Sequence, residues 1–250
     1  MKSTAVNVRG IPPLGHREAM DLATTGYGRL IELLHGLEPG DWSRSTDCEA
    51  WRVRDIVCHV LGEAEAFAST REFVRQFRIS SREARSTGAE QIDAMNGLQV
   101  RERSHLAPHE LVTRLQTVVP RSVKQRRRTP RVMRAMHMKL PVVGKGSYGY
   151  LSDVIINRDV WMHRSDIARA AGKELQLTAG YDGRLVADVV ADWGRRHGHP
   201  FVLVLEGPAG GSYVQNGGEP EEHRLDAVEF CRILSGRAQG PGLLKQPALF

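Results

Sequence analysis

Apolar residues recur at helical spacing through most of the chain up to Gly172, and the pattern changes after it. Met20, Leu22, Leu30, Leu33 and Leu34 form a stripe that predicts a first helix from about residue 17 to 37, ended by Pro39-Gly40. The loop DWSRSTDCEAW follows, with Trp42 and Trp51 expected as anchors. A second helix is predicted from near Val53 to about Phe77, because VRDIVCHVLGEAEAFASTREFVRQF holds good helix formers and few breakers. After the polar stretch SSREARSTGAEQ comes a shorter helix through Met95 and Val100. Ala107-Pro108 then opens a third long helix, HELVTRLQTVV, since proline suits a first helical position. LPVVGKGSYGY reads as a Gly/Pro-rich loop. The fourth long helix, YLSDVIINRDVWMHRSDIARAAG, should close at Gly172 in a left-handed cap. Four long helices with long connections predict an up-and-down bundle.

Beyond this point the signals alternate. One helix, DGRLVADVVADWGRRHG, precedes the strand PFVLVLEG, the hairpin signal GPAGGSYVQNGGEP and a last amphipathic helix, RLDAVEFCRILSGR. That alternation marks a small α/β unit. The expected organisation is a helical bundle over residues 1–174 and an α/β domain over 175–250.

Composition changes this picture little. The 250 residues are 41% hydrophobic and 26% charged, as in an ordinary globular chain. No run of about 18 apolar residues could span a membrane, and the start shows no apolar core of a signal peptide. The three cysteines, Cys48, Cys58 and Cys231, form neither a disulfide framework nor a CxxC pair. A cytoplasmic location is expected. Cys58, beside His59, could be reactive or a ligand, but reads first as a small buried residue on the inner side of a helix.

The net charge of +6 is largely local. Arg121 to Lys139 carries eight basic residues and no acidic one. Such a run can bind phosphates, but no aromatic residue interleaves with it to stack bases. A solvated helix end and loop is the expected reading, with nucleic acid a lesser alternative.

The candidate chemistry lies on the second and fourth helices. Asp159 and His163, four residues apart, share one helical face. His59 lies on the second helix with Asp55 four residues before it and Glu63 four after. If the two helices are neighbours, His59, Asp159 and His163 present two nitrogens and a carboxylate oxygen, the donor set of a catalytic zinc site with an open position. Iron, nickel or manganese could occupy it as well. Asp55 and Glu63 are candidates to orient His59. Taken alone the spacing is weak, because an inward histidine is commonly just a hydrogen-bonded core residue. His105 and His109 repeat the spacing, but Pro108 between them breaks the helix.

The segment LEPGDWSRSTDCEAWRVRDIVCHVLGEAE resembles the N-terminal signature of mycothiol-dependent maleylpyruvate isomerase-like proteins, which belong to the wider DinB-like metal-binding bundles. Trp42, Thr46, Cys48, Trp51, Arg54, Asp55 and His59 match in order. NRDVWMHRSDIARAAG looks like the family's second ligand motif, and LVLEGPAGGSY…LDAVEFCRILSGR resembles its small C-terminal domain. The likeness runs from about Arg17 to Phe250. One departure is Asp159, where the isomerase pattern has Glu; this touches the specific isomerase activity more than metal binding.

The resemblance implies a DinB-like four-helix bundle with a small C-terminal α/β domain. It further implies an actinobacterial enzyme with a divalent metal, zinc first, on His59, Asp159 and His163. Mycothiol would be its thiol co-substrate and a small electrophile, possibly a carboxylate, its substrate. A metal-bound thiol loses its proton outright. The thiolate could add to an electrophilic carbon and leave after bond rotation, as in an isomerase, or remain, as in an S-transferase. Arg237 resembles an arginine that the family brings toward the metal, and is the expected carboxylate clamp, with Arg232 as alternative. Arg164 is expected in a structural ion pair. A metal-binding module without catalysis is the competing reading.

Overall fold

The computed structural model describes residues 5–140 and 144–250. Helices α1 (His16–His35), α2 (Val53–Ala68), α3 (Thr70–Thr87), α4 (Gln91–Arg103) and α5 (Pro108–Arg127) come first, after a short strand β1 (Val6–Asn7). A helical turn α6 (Arg131–Arg134) and a hairpin of β2 (His137–Leu140) and β3 (Gly144–Ser147) follow. The chain then runs through α7 (Tyr148–Tyr150) and a π-helical turn (Leu151–Ile155) into α8 (Ile156–Ala171). Next come α9 (Arg184–His197), β4 (Phe201–Glu206), β5 (Gly211–Gln215), β6 (Glu221–Asp226) and α10 (Ala227–Leu234). The fold is mostly helical with a small sheet.

Helices α1, α2, α5 and α8 pack as the bundle. On α1, Met20, Ala23, Tyr27, Leu30 and Leu34 recur every three or four residues and are buried. α2 is buried on almost every side, which suits its continuous apolar run. α8 ends at Gly172, whose φ of 63° gives the left-handed cap expected there.

Two expectations are corrected. The second helix does not reach Phe77. Ser69 is extended (φ −149°, ψ 117°) and its hydroxyl accepts a bond from the Glu72 amide, starting α3 as a separate helix. Ser69-Thr-Arg-Glu72 has the spacing of a capping box, a local signal that outweighs propensity. α3 then continues through the supposed polar linker to Thr87 and pairs with α4 as a helical hairpin beside α2. The basic run is the helix end and solvated connection expected, with most of its cations exposed: α5 passes through Pro120 to Arg127. Arg126 is buried, Arg127 pairs with Asp21 at 2.8 Å, and Arg134 pairs with Asp153 at 2.6 Å. Finally, the stretch read as a loop contains β2 and β3 in antiparallel register; its Pro141–Val143 lies outside the described residues.

The second core lies between α9, α10 and a sheet of order β1-β5-β4-β6. β4 and β5 are antiparallel, β6 runs parallel to β4, and β1 parallel to β5. β6 escapes a sequence reading because EEHRLD is mostly charged; only its alternate residues face inward. Asp226 ends it and caps α10, accepting from the Val228 and Glu229 amides.

α8 lies between the two cores. Val160 and Ile167 enter the bundle, whereas Trp161 and Met162 pack with α9 and the sheet. Arg158, almost wholly buried, reaches Asp188 at 2.6 Å and Asp192 at 3.1 Å on α9. Arg164 pairs with Asp182, the structural ion pair expected for it. Among the described residues no helix is long and apolar enough to cross a membrane.

Candidate metal centre

Neighbouring α2 and α8 bring His59, Asp159 and His163 together. His59 Nε2 lies 3.4 Å from Asp159 Oδ2, and His163 Nε2 lies 3.4 Å from Asp159 Oδ1. The two imidazole rings meet edge to face with centroids 5.3 Å apart. Trp51 covers both, at 4.9 Å from the His59 ring and 5.8 Å from that of His163. Both histidines are 3% exposed, so water reaches them little. The three donor atoms all lie within 4.8 Å of one another.

The far side of each ring decides what its Nε2 can do. His59 Nδ1 is 2.8 Å from Gln99 Oε1. The direction of that bond follows from a buried chain of amides. Gln76 Nε2 donates to the Gly62 carbonyl at 3.0 Å and to Glu72 at 2.9 Å, both acceptors only. Gln76 Oε1 therefore accepts from Gln99 Nε2 at 2.9 Å, which leaves Gln99 Oε1 facing the imidazole. His59 must donate from Nδ1, and its neutral form carries a lone pair on Nε2.

His163 is fixed the same way by a charge. Its Nδ1 donates to Asp166 Oδ2 at 3.0 Å, and Asp166 is gripped by Arg237 through two bonds of 2.7 and 2.8 Å. Arg237 Nη2 also lies 3.3 Å from Cys48 Sγ. Both Nε2 atoms thus converge on one carboxylate, with both Nδ1 protons already committed. Such a pocket of acceptors needs protons or a cation between them, and fits a divalent ion. The electrostatics agree: burial alone would raise the Asp159 carboxyl, but the neighbouring His163 and His59 hold it well below the usual range. Burial would lower His163, yet the Asp159 carboxylate and the bond to Asp166 push it well up. The proton it then carries on Nε2 is the one a metal would displace.

One turn after His59 on α2, Glu63 is buried and receives the Tyr27 hydroxyl at 3.4 Å. Burial, then the charge of Asp159, push its carboxyl well above the ordinary value.

A family model described as the mycothiol maleylpyruvate isomerase N-terminal domain matches residues 24–168, more than half of the chain. The chain belongs to this family. Two solved structures share its fold: a mycothiol-dependent maleylpyruvate isomerase, with a TM-score of 0.59, and a histidine-to-alanine mutant of that isomerase, at 0.58. Each is 18% identical, over 93% of this chain and 92% of the other. At that identity the likeness speaks for the fold. No curated protein matches the chain.

The orienting residues differ from those anticipated. Asp55 binds the Arg52 amide at 2.9 Å at the start of α2 and does not orient His59. Glu63 faces Tyr27. Gln99 takes that part, and nothing in its sequence neighbourhood marks it, because it comes from a different helix. Asp166 did leave a trace, three residues after His163 and so on a shared helical face. Arg237 is engaged by Asp166 and Cys48, while Arg232 pairs with Asp47 at 3.0 Å and with Glu229. Cys58 is buried, which pushes its thiol up to about 11 and leaves it inert.

Proposed function

We propose that this protein is a mycothiol-dependent isomerase or S-transferase that activates its thiol co-substrate at a divalent metal held by His59, Asp159 and His163. The family description and the two structures of like fold support mycothiol as the thiol and isomerisation as the reaction type. The observation that carries the metal is the pair of Nε2 atoms aimed at Asp159 with both Nδ1 protons committed elsewhere. Two nitrogens and one carboxylate oxygen suit zinc with a position left open.

Bound there, a divalent ion would supply the Lewis acidity that keeps a thiol ionised near neutral pH. The protein's own residues do the rest. Gln99 and Asp166 hold the two rings in the ligating tautomer, and Trp51 shields them from water. Arg237 enters this reading as a positioning residue that holds Asp166, in place of the carboxylate clamp expected from sequence. The ligands would come from the bundle helices α2 and α8, and the α/β part, whose sheet also takes in β1, would supply Arg237.

Elemental analysis of purified protein should find close to one divalent ion per chain, and His163→Ala should lose it. A variant that keeps the wild-type metal content would remove this site. Mycothiol should be consumed or cycled with a panel of electrophiles; full metal with no turnover would leave a binding module.

A further inference from the structure

Where the helical bundle gives way to the α/β part, α1, the C-terminal half of α8 and the chain leaving it form a small cavity of about 180 Å³. Arg29, Arg164 and Lys173 stand in its wall together with Leu33, Glu32 and Glu174. None of His59, Asp159 and His163 lines it. Its charges are graded with depth. Arg164 is 3% exposed, Arg29 and Lys173 are partly buried, and the two glutamates are exposed. The inner wall is therefore cationic, and acid is confined to the rim.

Arg29 and Arg164 share a single counter-charge. The buried Asp182 accepts from Arg29 Nη1 at 2.6 Å and from Arg164 Nη2. It also accepts from the Trp161 indole at 3.0 Å and from the Thr178 amide at 2.6 Å. Two guanidiniums against one carboxylate leave one positive charge over, to which Lys173 adds a second. Tyr181 holds both guanidiniums, with its ring centre 4.8 Å from that of Arg29 and 5.5 Å from that of Arg164. Arg164 Nε and Nη1 have no hydrogen-bond partner among the described residues. A buried cation with idle donors is costly until an acceptor completes it, and an anion also balances the surplus charge.

We infer that this cavity binds a small oxyanion, a carboxylate or phosphate group, between Arg164 and Lys173. A guanidinium and an ammonium are the side chains suited to such groups. The volume is below the roughly 300–1,000 Å³ of sites for drug-sized molecules, which limits the ligand to a compact one. Glu32 and Glu174 at the rim repel extended polyanions such as nucleic acid. The site is separate from the thiol reaction proposed above and does not rest on it.

Inorganic phosphate and acetate are the probes, titrated calorimetrically into the full, metal-loaded chain at an ionic strength held constant with chloride. Wild type should bind about one anion per chain, and its Tm should rise by about 3–6 °C at about ten times the Kd. Saturation by phosphate alone would assign a phosphate group, and by acetate alone a carboxylate. Lys173→Gln should bind about tenfold more weakly, the worth of one charge-assisted bond. Leu33→Trp, which fills the cavity without changing its charge, should weaken binding at least as much. His163→Ala should bind as wild type does. No saturable binding of either probe would overturn the inference, and so would equal affinity in wild type, Lys173→Gln and Leu33→Trp. Binding lost only in His163→Ala would also overturn it, by placing the anion on the metal.

Discussion

His59 Nδ1 and Gln99 Oε1 are 2.8 Å apart, both buried, on helices that are separate in the sequence. This one contact fixes which imidazole nitrogen faces Asp159. Replacing Gln99 by Leu should keep the helix, release the ring and weaken metal binding about 10–100-fold. Competition against a chelator would measure it, and an unchanged affinity would show that the amide chain has no bearing on the ligand.

The close approach of α2 and α4 depends on Gly62. A Cβ there would meet Gln99 Cβ at 2.6 Å and Arg103 Nη1 at 2.8 Å. Gly62→Ala should therefore push α4 outward, costing about 1–3 kcal/mol and loosening Gln99 as well. Urea unfolding and metal affinity should fall together; a loss of stability alone would separate packing from the site.

Asp166 joins His163 to Arg237. Asp166→Asn keeps the shape but weakens both bonds, and metal affinity should drop about 10–100-fold. Arg237→Leu should also destabilise the fold, by about 3 kcal/mol, because it strips a buried carboxylate of its cation. Arg237→Lys, which keeps the charge but loses the two-pronged grip, should restore stability better than metal affinity. Equal recovery of both would argue against a positioning role.

Arg158 ties α8 to α9 through Asp188 and Asp192. Asp188→Ala leaves a buried guanidinium short of its nearest partner and should cost about 3–5 kcal/mol. Thermal or urea unfolding would read this, with metal content per folded chain unaltered. A variant as stable as wild type would mean that Asp192 alone suffices.

Acid should weaken the α3–α4 hairpin. The hydrogen bonds from Arg75 are the chief reason that the Glu72 carboxyl falls from its ordinary 4.5 to about 2. Because the folded value lies below the unfolded one, the stabilisation is fully present above about pH 4.5 and fades as pH falls toward 2. Glu72→Gln should flatten this part of the urea-midpoint profile between those values. Parallel profiles for the two proteins would show that the pair contributes nothing in solution.

Local chemistry was legible in the chain. The stripe of α1, the proline opening α5, the Gly172 cap and the Asp159–His163 face each depend on residues within a turn or two of one another, so spacing determines them. The family-like motifs around Trp51, His59 and His163 were legible for the same reason. What spacing could not supply was any relation between separate elements. Gln99 reaches His59 from 40 residues away, Arg237 reaches Asp166 from 71 away, and β6 forms only because β4 offers it an edge. A hydrogen bond that satisfies a buried group has no sequence period. Tertiary packing alone therefore decided which tautomer each histidine holds, and which carboxylate Arg237 pairs with.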